Sequence, residues 1–245
     1  EMSGRGDGFA YARAVSDNPF LTGPTFSVGY SLSDDDDIEG GDGDDFILDT
    51  IGDDTLSGDD GDDFIIDRAG DDFVEGGDGD DWILVNGGRD LVIGGEGDDT
   101  LDGDAGGHDF RGGRGDDWID AGGSRSDRNI LEGGSGDDVL IAGDGEDVMT
   151  GGAGADQFVF QVGQLFSATA AQDRITDFNI FEDVLVLLGG FSGLQFPGYV
   201  VEPGASADTD FFMGDARTIV LESVPLGYLY GQDNVTLPFV EFEIA

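Results

Sequence analysis

The sequence has 245 residues, of which 55 are acidic and 10 are basic, and its formal net charge is −45. A chain this negative does not bind nucleic acid or an anionic membrane, because both require positive side chains facing phosphate groups. Strong net charge favours disorder, but 38% hydrophobic residues, among them 18 phenylalanines, indicate a folded core. A bound cation that neutralises the acidic groups reconciles the charge with the core. Cysteine is absent, which excludes disulfides and thiolate metal sites.

The N-terminal segment, residues 1–30, has no apolar run of the kind that a cleavable signal peptide needs, and it is too short for a catalytic domain. It carries aromatic side chains, including Phe20, Phe26 and Tyr30. We expect this segment to pack on the rest of the chain or on a partner. The longest aliphatic run of the whole sequence, from Val184 to Leu188, is far too short to cross a bilayer.

A nine-residue repeat occupies residues 31–159, and its clearest copy reads GGDGDDWIL, from Gly76 to Leu84. Fourteen units follow one frame, which three extra residues interrupt between Ala121 and Glu132. The sixth position is aspartate in twelve of the fourteen units. The eighth position is never polar, and its residues are Ile38, Ile47, Leu56, Ile65, Val74, Ile83, Val92, Leu101, Phe110, Ile119, Leu131, Leu140, Met149 and Phe158.

Each position of the repeat has a distinct predicted role in the structure. One apolar residue among polar or mixed neighbours suits a very short strand that points a single side chain inward. Glycines at the first, second and fourth positions allow tight turns with positive φ and leave carbonyl groups exposed. Stacked turns would bring the sixth-position carboxylates together, which is repulsive without a cation. Because calcium prefers carboxylate and carbonyl oxygens, the sequence predicts calcium between successive turns.

The nonapeptide GGxGxDxUx, in which U is a large apolar residue, resembles the calcium-binding repeat of RTX (repeats-in-toxin) proteins. Fourteen units in frame, over half of the chain, carry the resemblance. It implies an all-β fold, a right-handed parallel β-roll in which each coil uses two units. Successive loops on one edge of the roll are then two repeat units apart in the sequence, with calcium between them.

The two edges of such a roll differ in sequence. One edge, here called the glycine-pair edge, has loops that begin at residues 40, 58, 76, 94, 112, 133 and 151, and six of these seven keep both leading glycines. On the other edge, called the depleted edge, the leading glycine pair is absent throughout, and His108 and Asn129 replace the aspartate in two neighbouring loops. We therefore expect a complete row of calcium ions, about six or more in number, along the glycine-pair edge.

The predicted metal ligands fall into three groups. On the glycine-pair edge, the sixth-position carboxylates are Asp45, Asp63, Asp81, Asp99, Asp117, Asp138 and Asp156. On the depleted edge, where ligation and a solvated acidic face remain equal alternatives, they are Asp36, Asp54, Asp72, Asp90 and Asp147. Carbonyl ligands are expected at Gly41, Gly43, Gly61, Gly77, Gly79, Gly95, Gly97, Gly113, Gly115, Gly134, Gly136, Gly152 and Gly154.

Two other kinds of residue in the loops have different expected roles. The fifth-position aspartates, such as Asp44 and Asp80, are expected to face solvent and to raise the local calcium concentration. His108 is interpreted as a lost calcium ligand that closes its turn by hydrogen bonding.

Large apolar residues occupy outward positions on the first coils. The seventh and ninth positions should point away from the core, yet after three glycine-pair loops they are Phe46, Leu48, Phe64, Ile66, Trp82 and Leu84. Neighbouring strands lie about 4.8 Å apart, so these six residues would form one surface, here called the apolar patch. A patch of this kind usually marks an interface. We expect the apolar patch to be covered by the segment from Phe9 to Leu32, by another subunit or by an extracellular protein. In each case, we expect Trp82 to be largely buried.

Residues 160–245 depart from the repeat. The stretch DRITDFNIFEDVLVL, from Asp173 to Leu187, alternates apolar and polar residues as strands do. It resembles the D-x-I-x-D-F-x-x-G-x-D-x-I-x-L element that follows the repeats in secreted serralysin-type and epimerase RTX proteins, although Glu182 stands where glycine is usual. The resemblance implies further metal ligands at Asp173, Asp177 and Asp183. It also implies a C-terminal β-sandwich-like cap that ends in a secretion signal.

Two classes of function remain open. The first is a secreted calcium-binding module with a structural or interaction role, which folds on calcium binding after export and is not an enzyme. The second is the C-terminal calcium-binding and secretion domain of a larger RTX protease or polysaccharide-modifying enzyme. One histidine cannot supply the two that an H-E-x-x-H zinc protease needs, so we favour the first. The family resemblance implies an extracellular or cell-surface location, reached by type I secretion from a Gram-negative bacterium.

Overall fold

The computed structural model describes residues 3–5, 12–14, 26–30, 35–49, 51–122, 127–143, 145–161, 172–179, 181–188, 200–203, 209–213, 217–221 and 240–243. All regular secondary structure within these ranges is β-strand, as the repeat predicts. Within the same ranges, no helix is long and apolar enough to cross a bilayer.

The strands form two sheets, and most strands of one alternate along the chain with strands of the other. In spatial order, sheet one contains β1 (Ser3–Arg5), β4 (Asp37–Asp42), β6 (Thr55–Asp60), β8 (Phe73–Asp78), β10 (Leu91–Glu96), β12 (Asp109–Arg114), β14 (Ile130–Ser135), β16 (Val148–Ala153), β18 (Gln172–Ile175), β22 (Arg217–Leu221), β21 (Thr209–Met213) and β20 (Val200–Pro203). Sheet two contains β2 (Ala12–Ala14), β3 (Phe26–Tyr30), β5 (Phe46–Leu48), β7 (Phe64–Ile66), β9 (Trp82–Val85), β11 (Thr100–Gly103), β13 (Trp118–Asp120), β15 (Val139–Ile141), β17 (Gln157–Gln161), β19 (Val184–Leu188) and β23 (Val240–Glu243).

Strands of consecutive coils pair in parallel, so the repeat region is a parallel β-solenoid. Ile38 pairs with Leu56, two repeat units later, which places equivalent residues of the repeat above one another. The three extra residues between Ala121 and Glu132 lengthen one coil, because Phe110 pairs with Leu131. The insertion does not disturb the register of either sheet, since Ile119 still pairs with Leu140.

The core is one residue deep and contains the eighth-position column. Every one of the fourteen eighth-position side chains is fully buried, and all of them belong to a single cluster. Inward and outward residues alternate along the strands of the first coils, as in β8, where Val74 is buried and Glu75 is exposed. The eighth position therefore supplies one core side chain from every unit.

Strands on both sides of the repeat region continue the same two sheets. At the N-terminal end, β3 pairs in parallel with β5, whereas β1 pairs antiparallel with β4 and β2 with β3. At the C-terminal end, β18 and β19 stack in parallel on β16 and β17. Beyond them, β22 pairs in parallel with β18, and β23 pairs in parallel with β19. Strands β21 and β20 then extend sheet one with antiparallel pairing. The chain end that we expect to act as a secretion signal includes residues 244–245, which lie outside the described residues.

Candidate metal centre

The sixth-position aspartates of the glycine-pair edge form a column inside the loops, and each is at most 3% exposed. Their Oδ1 atoms, from Asp63 to Asp156, accept hydrogen bonds from the amide of the equivalent aspartate one coil earlier. The first of these bonds, from the Asp45 amide to Asp63 Oδ1, measures 2.6 Å, and the last, from the Asp138 amide to Asp156 Oδ1, measures 3.1 Å. Because every bond joins two coils, the ladder fixes the orientation of the carboxylates.

The second oxygens of these carboxylates have the geometry of a cation site. Oδ2 of Asp63, Asp81, Asp99, Asp117 and Asp138 is buried and has no hydrogen-bond donor. A Cβ atom added at Gly58 would lie 2.1 Å from Asp63 Oδ2 and 2.5 Å from the carbonyl oxygen of Gly76. The same convergence of a carboxylate oxygen and a carbonyl oxygen recurs at Gly40, Gly76, Gly94, Gly112 and Gly133, so it occupies six gaps between loops. Such oxygen donors fit calcium.

Burial raises the pKa of these carboxyl groups from the ordinary value of 3.8. The pKa of Asp81 rises to about 8, and that of Asp63 rises to about 7. Desolvation is the main cause and neighbouring aspartates add repulsion, while the hydrogen bond from the earlier coil lowers the pKa. Without a cation, the row would therefore hold protons near neutral pH, and calcium binding would have to displace them.

Backbone carbonyls along this edge point from coil to coil. Gly77 and Gly79 have φ values of 129° and 139°, which favour glycine. A Cβ atom at Gly79 would lie 2.1 Å from the Gly61 carbonyl oxygen, so that carbonyl is directed at the next coil. Ligation by the second- and fourth-position carbonyls stays a prediction. Sequence reasoning missed the first-position carbonyls, such as that of Gly76, because the leading glycine also has a purely conformational explanation.

One second-position glycine is replaced, at Asp59. Its φ of 74° lies in the left-handed region, which is unfavourable for a residue with a Cβ atom. The Asp59 carboxylate accepts a 2.8 Å hydrogen bond from Ser57 Oγ. Asp59 is therefore a position of local backbone strain within an otherwise regular row.

The fifth-position aspartates form a second ladder of opposite direction. The Asp80 amide donates to Asp62 Oδ1 at 3.0 Å, and the Asp98 amide donates to Asp80 Oδ1 at 2.9 Å. Asp80 is exposed, as predicted, whereas Asp44 is half-buried. These carboxylates face solvent and also hold the following coil.

The depleted edge keeps the hydrogen-bond ladder of the sixth-position residues, although two of these residues, His108 and Asn129, are not carboxylates. Its sixth-position residues are all at most 4% exposed. The Asp90 amide donates to His108 Nδ1 at 3.4 Å, and the same Nδ1 lies 2.9 Å from Asp90 Oδ2. The His108 amide donates to Asn129 Oδ1 at 3.0 Å, and the Asn129 amide donates to Asp147 Oδ1 at 3.0 Å. His108 therefore closes its turn by hydrogen bonding, as predicted.

Sequence reasoning missed two further carboxylates on the depleted edge. Asp49 and Asp67 occupy the first position of their units, in place of glycine, and both are fully buried. The signal was present in the loop sequences DTIGDD and DRAGDD, which begin with aspartate.

Asp173 and Asp183, two of the three C-terminal aspartates predicted as metal ligands, end the two sixth-position ladders. Asp173 Oδ1 accepts the Asp147 amide at 3.1 Å. Asp183 accepts the Asp156 amide at 3.1 Å and the Asn179 amide at 2.7 Å. Asp177 is exposed, and its oxygens accept the amides of Gly151 and Gly152 at 3.0 and 2.8 Å. These contacts give the three residues a capping role, and ligation of metal by them stays a prediction.

The apolar patch is a continuous aromatic surface on sheet two. The rings of Phe46 and Phe64 stack with centroids 5.5 Å apart, and Phe64 meets Trp82 edge-on at 5.3 Å. The expectation that Trp82 is buried is wrong for this chain by itself, because the side chain is 53% exposed. Strand β3, which contains Phe26 and Tyr30, pairs in parallel with β5 and so extends the same sheet. Phe20 lies outside the described residues.

Two solved structures are similar to parts of this chain. The solution structure of the AlgE6R3 subunit of the Azotobacter vinelandii mannuronan C5-epimerase is 26% identical, with a TM-score of 0.39, over 53% of this chain and 77% of that one. The extracellular lipase LipA of Serratia marcescens is 18% identical, with a TM-score of 0.26, over 80% of this chain and 39% of the lipase. None of the curated proteins matches.

The sequence profile of the RTX calcium-binding nonapeptide repeat (4 copies) matches residues 30–65, 48–83, 75–107, 109–125 and 124–158. These matches span more than half of the chain and coincide with the coils that hold the buried aspartate columns. The chain therefore belongs to the family of RTX calcium-binding repeat proteins.

Proposed function

We propose that this chain is a secreted module that folds when its roll binds calcium and that then serves a structural or interaction role. RTX repeats bind calcium. The observation that carries the proposal is the column of buried Oδ2 atoms without hydrogen-bond donors along the glycine-pair edge.

The buried column needs a counter-charge that the described side chains do not bring to it. Arg111 pairs with Asp109, Arg114 with Glu96, and Arg128 with Glu146, and all three arginines lie on the exposed surface of the roll. Buried carboxylates without a compensating charge are strongly unfavourable. A row of divalent cations between the loops would supply the charge and join neighbouring coils.

Calcium-driven folding also supports secretion. Extracellular calcium modules bind at about 10⁻⁴ to 10⁻³ M, so such a roll would stay unfolded where calcium is scarce. Repulsion within a chain of net charge −45 would keep it extended before export. After export, millimolar calcium would fold it.

Circular dichroism of the full chain tests the proposal. We expect a weakly structured spectrum in EGTA and a β spectrum in millimolar calcium, with magnesium at equal ionic strength as the control for charge screening. A β spectrum that chelation leaves unchanged would contradict the proposal.

The interaction role rests on the apolar patch, in which a tryptophan that is 53% exposed continues a stack of two phenylalanines. Contiguous, partly exposed aromatic surface favours binding to another subunit or to an extracellular or cell-surface protein. The experiment on Phe64 and Trp82 in the Discussion tests this part.

The alternative is that the chain is the C-terminal domain of a larger RTX enzyme. The location of His108 bears on it, because the single histidine is 1% exposed within the depleted-edge ladder. Any histidine-dependent catalysis would therefore come from residues beyond this sequence. Assaying the product of the complete natural reading frame for hydrolase or epimerase activity, with and without calcium, distinguishes the two functions.

A further inference from the structure

The depleted edge holds a group of carboxylates that the glycine-pair edge does not have. Asp67 follows strand β7 and occupies the first position of its unit, where its amide donates to the Leu84 carbonyl at 2.9 Å. Carboxylate oxygens of Asp54, Asp67 and Asp72 lie within 4.8 Å of one another. The three residues are 2%, 0% and 4% exposed.

Each carboxylate of this triad has one oxygen that accepts a hydrogen bond and one that does not. Oδ1 of Asp54 accepts the Asp36 amide, and Oδ1 of Asp72 accepts the Asp54 amide. Oδ1 of Asp67 accepts the Arg68 amide at 2.7 Å. Oδ2 of each of the three is buried and has no donor. The carboxylate oxygens of Asp67 and Asp72 lie within 4.8 Å of each other, so either protons or a cation must offset their repulsion.

The later coils show what the first position of this edge otherwise contains. Val85, Ala121 and Ala142 stand there, and each is at most 1% exposed, so the position belongs to the apolar core. A carboxylate in that column costs several kcal/mol unless its charge is compensated. Burial raises the pKa of Asp54, Asp67 and Asp72, in keeping with a group that lacks its counter-charge.

We infer that Asp54, Asp67 and Asp72 form an additional calcium site inside the roll, in which the first-position carboxylate is a ligand. Asp36, Asp49 and Asp54 lie within the same 4.8 Å limit one coil earlier, so Asp54 belongs to two successive sites of this kind. Oxygen-only donors with a high negative charge select a hard divalent cation such as calcium. The inference rests on the calcium-dependent folding proposed above, but it concerns the opposite edge and a position of the repeat that the glycine-pair edge leaves empty.

Counting bound ions in the full chain tests the inference. Native mass spectrometry in calcium should show one ion fewer for Asp67→Asn than for the wild type. Asp67→Val, which installs the residue present at position 85, should lose the same ion and should also fold at a lower calcium concentration, because it removes a buried charge. Asp60→Asn removes one exposed aspartate near the other edge and should keep the wild-type count.

The outcomes separate this inference from the proposed function. A wild type that binds no calcium would overturn both. A wild type that folds with calcium, together with Asp67→Asn and Asp67→Val variants that bind as many ions as it does, would overturn the inference alone. That second result would mean that the triad is held by shared protons.

Discussion

Each edge of the roll has a ladder of hydrogen bonds between its sixth-position residues, but the two edges differ in the groups that surround the ladder. On the glycine-pair edge, the same convergence of a carboxylate oxygen and a carbonyl oxygen is repeated in six gaps. On the depleted edge, carboxylate triads stand in the first coils, and His108 and Asn129 follow. The ladder passes through these two residues without a break. Coil stacking thus needs a hydrogen-bond acceptor at the sixth position, whereas an ion between glycine-pair loops also needs a free second oxygen and an empty first position.

The largest expected effect separates these two roles on the glycine-pair edge. Asp99→Asn keeps the Oδ1 acceptor and removes the charge, so the ladder should survive while ligation fails. We expect the calcium concentration at half-folding to rise about tenfold, measured by circular dichroism. Asn129→Asp is the reverse exchange on the depleted edge and should leave that concentration unchanged or lower it. Equal effects of the two variants would contradict the difference between the edges.

Acid should partly replace calcium. For a carboxyl group with a raised pKa in the folded state, the protonated form favours folding, so its contribution is complete below the ordinary pKa of 3.8 and is lost as pH rises through the folded value. The pKa values of Asp138, Asp63 and Asp81 are about 6, 7 and 8. In EGTA, the β signal should therefore increase as pH falls from about 8 towards about 4.

The same titration in saturating calcium is the control for the acid effect. Calcium requires the ionised carboxylates, so stability should there decrease with acid. Parallel pH profiles with and without calcium would show that these carboxylates are not the calcium ligands.

An intermediate effect concerns the surface next to the glycine-pair edge. Phe64→Ser combined with Trp82→Ser should weaken assembly, measured by light scattering, while the calcium concentration at half-folding changes little. Trp118→Ser is the matched control, because Trp118 is 47% exposed on the same sheet but lies outside the apolar patch. If the double variant assembles like the wild type, the patch is not an interface.

The smallest effect concerns the one irregular loop of the glycine-pair edge. Asp59→Gly should stabilise the calcium-bound roll by about 1 kcal/mol, because glycine adopts the φ of 74° without strain. Urea unfolding in calcium measures the change. Asp60→Gly should not stabilise the roll, since that residue has no positive φ. A destabilised Asp59→Gly variant would assign a role to the Asp59 side chain.

The repeat predicted the fold because one consistently apolar position in nine fixes the register and supplies a core side chain from every unit. Every eighth-position residue, from Ile38 to Phe158, is buried as predicted. The aspartate column could be predicted equally well, because aspartates two repeat units apart must stack in such a fold. Ligation itself remains a prediction for all of these residues.

Features that depend on exceptions to the repeat were harder to predict. Asp49 and Asp67 stand at a first position that is glycine or apolar in the other units from Gly40 onward, and the repeat alone gives no direction for a side chain there. The 53% exposure of Trp82 was not predicted, because the sequence does not specify whether a flanking strand extends a sheet or crosses its face. Both cases require three-dimensional placement of residues that lie outside the periodic pattern.

The two-unit coil also restricts how the length of this chain can change. Removing a pair of adjacent units from the roll would delete one coil and bring equivalent strands together, because each coil contacts only its neighbours. Removing a single unit would instead exchange the two edges for every later loop and place GG-containing loops above loops without them. The coil from Phe110 to Leu131, which contains the insertion, shows that growth within a depleted loop avoids this exchange. Lineages of such rolls should therefore lengthen by pairs of units, and variation by single residues should collect on the depleted edge.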